Sequence, residues 1–468
     1  MDRTLTPSRD LFHRLTRRYV RVSSALAIGV ILFTAAAAAL FGAGLLDATT
    51  VGYLLMVPLL ILAVAKPAWL VIALIAIPHA FTGSASVTGL TILLIFALVV
   101  HVGRHGSLSL GLTSGLLPVV ILLGLSHLFR ADVGQAAAVA RDGFVKGFGL
   151  SVTLAVLTFA LVRSGHLTVR QFVPALLVGA GATTVALLVV GGPASLIERS
   201  NLEAGAGVAL QGHFGYLSAM AFIVSLAWAL LDDEGLGSDR TIRWLVVAFF
   251  AVTTALSLTR GAWLASLVGL FLVSWRTRRF KYLWVLPVLL ALLVVIPVAR
   301  DRLLGEFKRA GVTESFATGQ AGTGRWGLWT LLYDKAKTKL VTGHGSGFTF
   351  TLDSQELFGF EGHFVALEST FVYPHNDFLF WMLEFGLVGV GLFGLFWLEL
   401  RAKHRQALVH EDAVVRGDAA LLLGVLTTMF IANVVSNGLF APPIAKPFFV
   451  ASGAVFALAR LNGTEGSA

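Results

Sequence analysis

Long apolar runs, separated by short polar segments, make up most of this 468-residue chain. A run of about 20 apolar residues is long enough to cross the hydrocarbon core of a membrane as a helix. The runs are continuously apolar and do not alternate, which favours helices over the strands of a β-barrel. Fourteen stretches fit, or twelve if the short pair around Lys66 and Pro67 forms a hairpin or a broken element. The fourteen are 22–46, 50–65, 67–81, 88–103, 114–129, 143–163, 168–190, 213–231, 241–258, 261–275, 281–299, 376–400, 417–437 and 444–461.

One long polar segment, residues 300–375, interrupts this pattern. We therefore expect an all-α polytopic membrane protein with about 12 (12–14) transmembrane helices and one large extramembrane loop. The expected divisions are a basic N-terminus at 1–21, transmembrane helices over 22–299, the loop at 300–375, C-terminal transmembrane helices over 376–461 and a tail at 462–468. Since nearly everything else is apolar, we expect the functional site at the loop.

The basic residues predict the orientation in the membrane. The net charge is +9, and 21 of the 35 Lys and Arg residues fall on one side if the N-terminus and the tail are cytoplasmic. The long loop then faces outward, which in a Gram-negative cell is the periplasm. This sorting accounts for the net charge without a nucleic-acid partner. The chain contains no cysteine, which excludes disulfides, thiol catalysis and thiolate zinc sites.

Within the loop, the spacing of Trp326, Trp329, Leu332 and Tyr333 predicts a helix over 324–340. The glycine-rich stretch 343–347 then breaks the pattern, and we interpret it as a turn because it lacks the lysine and the spacing of a P-loop. The two tryptophans either stack on sugar rings or bury against the membrane domain.

His375 lies where the loop enters the next apolar run. At a helix N-terminus, the macrodipole disfavours a protonated imidazole, which suits a general base. The alternative is a boundary histidine, with Asn376 and Asp377 as ordinary caps. Gly386 follows eleven residues later, on nearly the same helix face and roughly 16 Å deeper, where small residues allow close helix packing. Glu368, seven residues before His375, is a candidate to orient the imidazole or an acceptor.

Two arginines are candidates for binding an anion. Arg260 lies in a tight outer turn at the start of a helix, where a guanidinium suits a phosphate or diphosphate. The alternative is an arginine that extends to lipid headgroups. Arg325 begins the predicted loop helix, either as a second diphosphate ligand or as a solvated loop charge. We expect no metal site, because we find neither clustered carboxylates nor paired histidines at ligand spacing.

The motifs Arg260-x3-Leu264 and His375-x10-Gly386 resemble the paired motifs of bacterial O-antigen ligases. That superfamily also contains O-antigen polymerases and protein O-oligosaccharyltransferases. Two segments fit the outer loop of that family, Gly324-Arg325-Trp326 and Gly343-His344-Gly345. The segment Pro374-His375-Asn376-Asp377 fits its signature. The resemblance extends from about residue 241 to 400, whereas the first 240 residues match only as apolar spans.

The resemblance implies a fold like that of type C glycosyltransferases, placed in the bacterial inner membrane, with no metal and no cofactor. It implies transfer of a glycan from undecaprenyl diphosphate to a sugar hydroxyl of lipid A–core at the periplasmic face. Arg260 and Arg325 would then bind the diphosphate and His375 would activate the acceptor hydroxyl, with support from Glu368, Asn376, Trp326 and Gly386. A polymerase or a protein O-oligosaccharyltransferase is the alternative within the enzyme class. Outside it, a lipid-linked glycan transporter would need mid-membrane charges, for which Lys146 and Glu384 are the main candidates.

Overall fold

The apolar runs form helices in the computed structural model, which describes residues 33, 36, 39, 40, 48–77, 84–105, 115–191, 210–231, 240–257, 259–284, 325–352, 374–439 and 441–461. Thirteen α-helices occur in these residues: α1 (Ala48–Ala65), α2 (Pro67–Ala76), α3 (Ser84–His105), α4 (Leu117–Leu128), α5 (Gln135–Arg163), α6 (Val169–Gly191), α7 (Leu210–Leu231), α8 (Arg240–Leu256), α9 (Arg260–Thr277), α10 (Arg325–Lys337), α11 (Asp377–Leu408), α12 (Ala413–Val435) and α13 (Pro442–Leu458). The one β-bridge in this part of the chain is an isolated pair, Arg130 with Ser346.

The prediction of a helical, multi-pass membrane protein is confirmed, but the count of about twelve spans is not. Within the described residues, six helices are long and apolar enough to cross a membrane: α3, α5, α6, α7, α11 and α12. Four shorter apolar helices accompany them, at Tyr53–Ala65, Pro67–Ala76, Leu117–Leu128 and Pro442–Leu458. The predicted spans 22–46 and 281–299 lie largely outside the described residues, although Phe280–Trp284 forms a 3₁₀ turn.

The helices surround one continuous apolar core, in which α13 and the long α5 pack side by side. A glycine allows this close approach: a Cβ at Gly453 of α13 would lie 2.3 Å from the carbonyl oxygen of Ala155 in α5. Small residues at such crossings let two backbones meet, which is how helices gain packing energy in a membrane. Helix α7 likewise packs against α8, α9 and α12.

Contacts between helix termini define two ends of the bundle. At one end, here called the α10 end, α9 and α11 begin and α12 ends. The start of α9 lies against the end of α12, because a Cβ at Gly261 would lie 3.1 Å from Val435. At the other, called the opposite end, α9 and α11 finish and α12 begins. There the Arg276 guanidinium donates to the carbonyl oxygen of Leu408. Helix α12, at 23 residues and about 1.5 Å per residue, separates the two ends by roughly 34 Å.

Helix α11 is broken nine residues after it begins. Phe385 (φ −130°, ψ 15°) and Gly386 (φ 61°, ψ −148°) leave the helical conformation. The chain after α10 fills the break: the Leu387 N–H donates to the Leu340 carbonyl at 2.8 Å, and the Gly345 N–H to the Glu384 carbonyl at 2.8 Å. A broken membrane helix is tolerated where another segment satisfies its freed backbone groups, as residues 340–345 do here.

Candidate functional site

His375 precedes α11 by two residues, as the sequence predicted, and its backbone is unusual. Its φ is 50°, one of two positive φ values among the described non-glycine residues, and its side chain is half-buried. The left-handed region is costly for most side chains, and histidine is among those enriched there. Asn376 caps the helix by accepting the Leu379 N–H at 3.0 Å. The cap and the left-handed turn together fix where the imidazole leaves the chain.

The turn between α12 and α13 supports this helix start. A carboxylate oxygen of Asp377, a fully buried residue, accepts the Leu439 N–H at 3.0 Å. Its second oxygen has no hydrogen-bond partner among the described residues, and neither polar side-chain atom of the fully buried Asn433 has one. Buried polar groups normally have hydrogen-bond partners. Here the polar atoms without a described partner lie at the α12–α13 turn and at Asp377, two residues from His375.

Arg260 is the first residue of α9, and its side chain is exposed at the α10 end. The turn that carries it packs tightly on α7: a Cβ at Gly261 would lie 1.9 Å from the Tyr216 hydroxyl, and one at Gly215 would lie 2.5 Å from Thr259 Oγ1. Gly261 also abuts Val435, the last residue of α12, which precedes the turn that contacts Asp377. Arg260 and His375 therefore flank the same α12–α13 turn.

The loop helix predicted over 324–340 exists as α10, and it packs along the first turns of α11. Leu328, Leu332 and Ala336 form a separate buried cluster with Leu379 and Leu383. The Trp329 indole N–H donates to the Pro374 carbonyl at 2.8 Å, one residue from His375. Of the two interpretations of the tryptophans, Trp329 follows the packing one, because it is partly buried against this cluster.

Arg325 is the first residue of α10, one turn before Trp329 along the helix. The position of its side chain, and that of Trp326, lies outside the described residues, as does all of Glu368. The structure thus brings α10, the start of α9 and His375 to one end of the bundle. The roles predicted for Arg260, Arg325, His375, Glu368, Asn376, Trp326 and Gly386 stay predictions.

The stretch 343–347 forms the predicted turn, with positive φ at Gly343, Gly345 and Gly347. It is anchored from two sides. The Ser346 N–H donates to the Phe129 carbonyl at 2.7 Å. The buried Glu384 carboxylate accepts the N–H groups of Gly347 and Thr349 and the Thr349 hydroxyl. Glu384 therefore holds the loop to α11, and its carboxylate is occupied by protein donors. Lys146, the other mid-membrane charge considered for transport, is exposed.

The sequence interpretation of Gly386 is wrong in one respect. We expected it on a continuous helix face shared with His375, packing closely against another helix. The helix breaks at this residue, and a Cβ here would lie 2.4 Å from the backbone of Val341. Close approach does occur, but its partner is the loop that follows α10. Only glycine fits, because the φ of 61° and the contact both exclude a side chain.

His344 is the titratable residue of this turn, and its surroundings shift the pKa of its imidazole. Burial lowers the pKa of the imidazole, the nearby Lys339 and Lys335 charges lower it further, and hydrogen bonding to the Lys335 carbonyl opposes them. Its Nε2 lies 3.2 Å from the Thr338 hydroxyl, and its ring stacks on Phe348 at 3.8 Å. The folded turn therefore favours a neutral His344.

The structure contains a cluster of three histidines that the sequence pattern did not predict. His101 and His105 of α3 and His166 of the α5–α6 turn come close enough to share a metal ion, at the opposite end of the bundle. The statement that no histidines are paired at ligand spacing is wrong, because His101 and His105 are four residues apart on one helix. That spacing could have revealed two of the three, whereas His166 joins them through the fold alone.

Comparison with known proteins agrees with the resemblance. No curated protein sequence matches the chain. Residues 245–394 match the model of the O-antigen ligase family, and this range contains Arg260, Arg325, His375 and Gly386. The match covers close to the 241–400 stretch on which the sequence resemblance rested. The match assigns residues 245–394 to the O-antigen ligase family.

Proposed function

We propose that this protein is a metal-independent O-antigen ligase of the bacterial inner membrane. It transfers O-antigen polysaccharide from undecaprenyl diphosphate to a sugar hydroxyl of lipid A–core. The α10 end faces the periplasm, and the two lipid-linked substrates reach it from the outer leaflet. The family match supports a ligase- or polymerase-type glycosyltransferase acting on lipid-linked glycans.

The observation that carries this proposal is the convergence of three distant segments. Through the α12–α13 turn, Gly261 touches Val435 and Asp377 binds Leu439, so Arg260 and His375 share one support. Through the Trp329–Pro374 hydrogen bond, α10 is held beside His375. The helix that begins with Arg325 is therefore tied to the same place.

The chemistry divides among these groups in a single displacement. His375 accepts the proton of the acceptor hydroxyl as its oxygen bonds to the anomeric carbon. The bond from that carbon to the diphosphate breaks in line with the attack, which inverts the configuration. Arg260 and Arg325 stabilise the negative charge that develops on the departing undecaprenyl diphosphate, a task that divalent cations perform in other enzymes.

A lipid-linked glycan transporter is the weaker alternative. A transport site would need ionisable groups exposed to a mid-membrane pathway. Glu384 is bonded to three donors of the loop and so is committed to holding it. A polymerase uses the same donor, and its acceptor is a second lipid-diphosphate glycan, so the acceptor distinguishes it from a ligase.

The test is to incubate the purified, reconstituted protein with an undecaprenyl-diphosphate glycan and rough lipopolysaccharide in excess chelator. A ladder of glycan-bearing lipopolysaccharide is the expected product. Longer lipid-linked chains without transfer to lipopolysaccharide would identify a polymerase. A strict requirement for added magnesium would contradict the role of the two arginines.

A further inference from the structure

The three histidines at the opposite end form a compact set on two elements. His101 and His105 occupy the last turns of α3, and His166 lies in the turn between α5 and α6. Their ring centroids are 4.8, 5.3 and 4.2 Å apart in pairs. One ring nitrogen from each lies within 4.8 Å of the others. Since His105 and His166 are exposed, ions from solvent can reach the set.

Ser164 gives two of these rings a defined tautomer. Its hydroxyl donates to the Ala160 carbonyl at 2.8 Å, and a hydroxyl has only one hydrogen. It therefore accepts from His101 Nε2 at 3.2 Å and from His166 Nδ1 at 3.0 Å. With those nitrogens protonated, the second nitrogen of each neutral ring carries a lone pair. This is how an outer hydrogen-bond partner orients metal-binding histidines.

The histidines open onto a cavity of about 430 Å³ beside the break between α1 and α2. Lys66, Arg104, Gln171 and Trp69 line the same cavity, and among the residues that the structure describes none of the lining ones is acidic. The cavity is large enough to hold an ion together with a further small ligand. Two exposed cations in the wall weaken the attraction of a bare dication, and they favour an anion bound beside it.

We propose that His101, His105 and His166 bind one divalent transition-metal ion of the zinc class. Three imidazoles supply three ligands, and the fourth position opens to the cavity, where hydroxide or another small anion completes the shell. Bond lengths of about 2.0–2.1 Å require the rings to close by a small rotation, which the two exposed histidines are free to make. The ion fastens the end of α3 to the α5–α6 turn.

This site is separate from the proposed glycosyl transfer. His166 lies just before α6, where Arg170 pairs with Asp418 in the first turns of α12 at 3.2 Å. His375 lies at the other end, where α12 finishes. Because about 34 Å of helix separates the two, the metal supplies nothing to the transfer, and chelation empties the site without stopping the reaction.

The test uses the full chain, purified in detergent without a polyhistidine tag, stripped with chelator and titrated with Zn²⁺ or Co²⁺. We expect one ion per chain, the absorption bands of nitrogen-coordinated Co²⁺ and a rise in Tm of about 3 °C. The double variant His105→Gln/His166→Gln changes exposed residues only, so it folds, and it binds at least about 100-fold more weakly. The matched control His127→Gln, an exposed histidine on α4, leaves binding unchanged.

A Ser164→Ala variant sharpens the test, because losing the orienting hydroxyl should weaken metal binding by about 10-fold or more without removing a ligand. Equal affinity in the wild type and the double variant would overturn the proposal. So would a rise in Tm with inorganic phosphate and none with either metal, which would identify the cavity as an anion site.

Discussion

The two ends of the bundle satisfy their helix termini in different ways. At the opposite end the devices are ordinary: Asp412 caps α12 through the Val414 N–H, and the left-handed Arg278 terminates α9. At the α10 end, a left-handed histidine precedes a helix and a helix breaks at Gly386. Asp377 and Asn433 are buried there, with side-chain atoms that have no hydrogen-bond partner among the described residues. A left-handed residue before a helix, a broken helix and buried polar groups thus occur together beside His375, a combination that is found at functional sites.

The largest expected effect comes from the strained residue itself. His375→Ala should lower glycan transfer by about 10³-fold, because the acceptor hydroxyl loses its base. The fold should persist, since the cap at Asn376 and the Trp329–Pro374 bond involve no His375 side chain. Transfer measured in reconstituted membranes checks this, with His127→Ala as the control. Activity within a few-fold of wild type would remove His375 from the mechanism.

Arg260→Ala should lower transfer by about 10²-fold, since one guanidinium no longer meets the charge on the leaving diphosphate. Arg260→Lys should retain only part of the transfer activity, because an ammonium lacks the bidentate geometry that suits phosphate oxygens. The matched control is Arg401→Ala, an exposed arginine at the opposite end of α11. If Arg260 and Arg401 variants behave alike, the difference between the two ends does not extend to their arginines.

Much of this architecture was predictable from local pattern, and the rest depended on distant contacts. Apolar runs predicted the helices, and the Trp329 spacing predicted α10. Nothing in the local sequence showed that the helix breaks at Gly386 and not at Gly391, because the break depends on a loop segment some 45 residues earlier that, among the described residues, contacts Gly386 and not Gly391. Glu384 resembled a transport charge for the same reason, since its donors come from residues 347 and 349.

That difference between two glycines can be measured. Gly386→Ala should destabilise the protein by about 2–4 kcal/mol, through a clash with Val341 and a backbone conformation closed to alanine. A Cβ at Gly391 would meet no atom within 4 Å in the described part of the chain, so Gly391→Ala in an ordinary helix should be neutral or stabilising by about 0.5–1 kcal/mol. Denaturant unfolding in detergent compares the two. Equal stabilities would mean that the loop does not occupy the break.

Glu384→Gln should loosen the loop without unfolding the bundle. A neutral amide offers one acceptor oxygen where the carboxylate accepts from three donors, so the Gly347 and Thr349 amides lose protection. Hydrogen exchange should accelerate by about tenfold at those amides and stay unchanged in α5 and α13. The control Glu399→Gln lies on the same helix beyond the break. Unchanged exchange at residues 347 and 349 would show that Glu384 does not anchor the loop.

The smallest effect concerns His344 and acid. Because burial lowers the pKa of its imidazole in the folded turn below the ordinary 6.5, the unfolded chain binds this proton more readily. The stabilisation of the fold by the neutral His344 imidazole is therefore fully present above pH 6.5 and declines as the pH falls below it. His344→Gln cannot titrate, so its Tm should drop less than that of wild type between pH 7.5 and pH 5.5. Equal decreases in Tm for the two proteins would mean that a group other than His344 causes the acid sensitivity of the α10 end. If the Tm of Gly386→Ala also decreases by the same amount, that sensitivity does not depend on the docked loop.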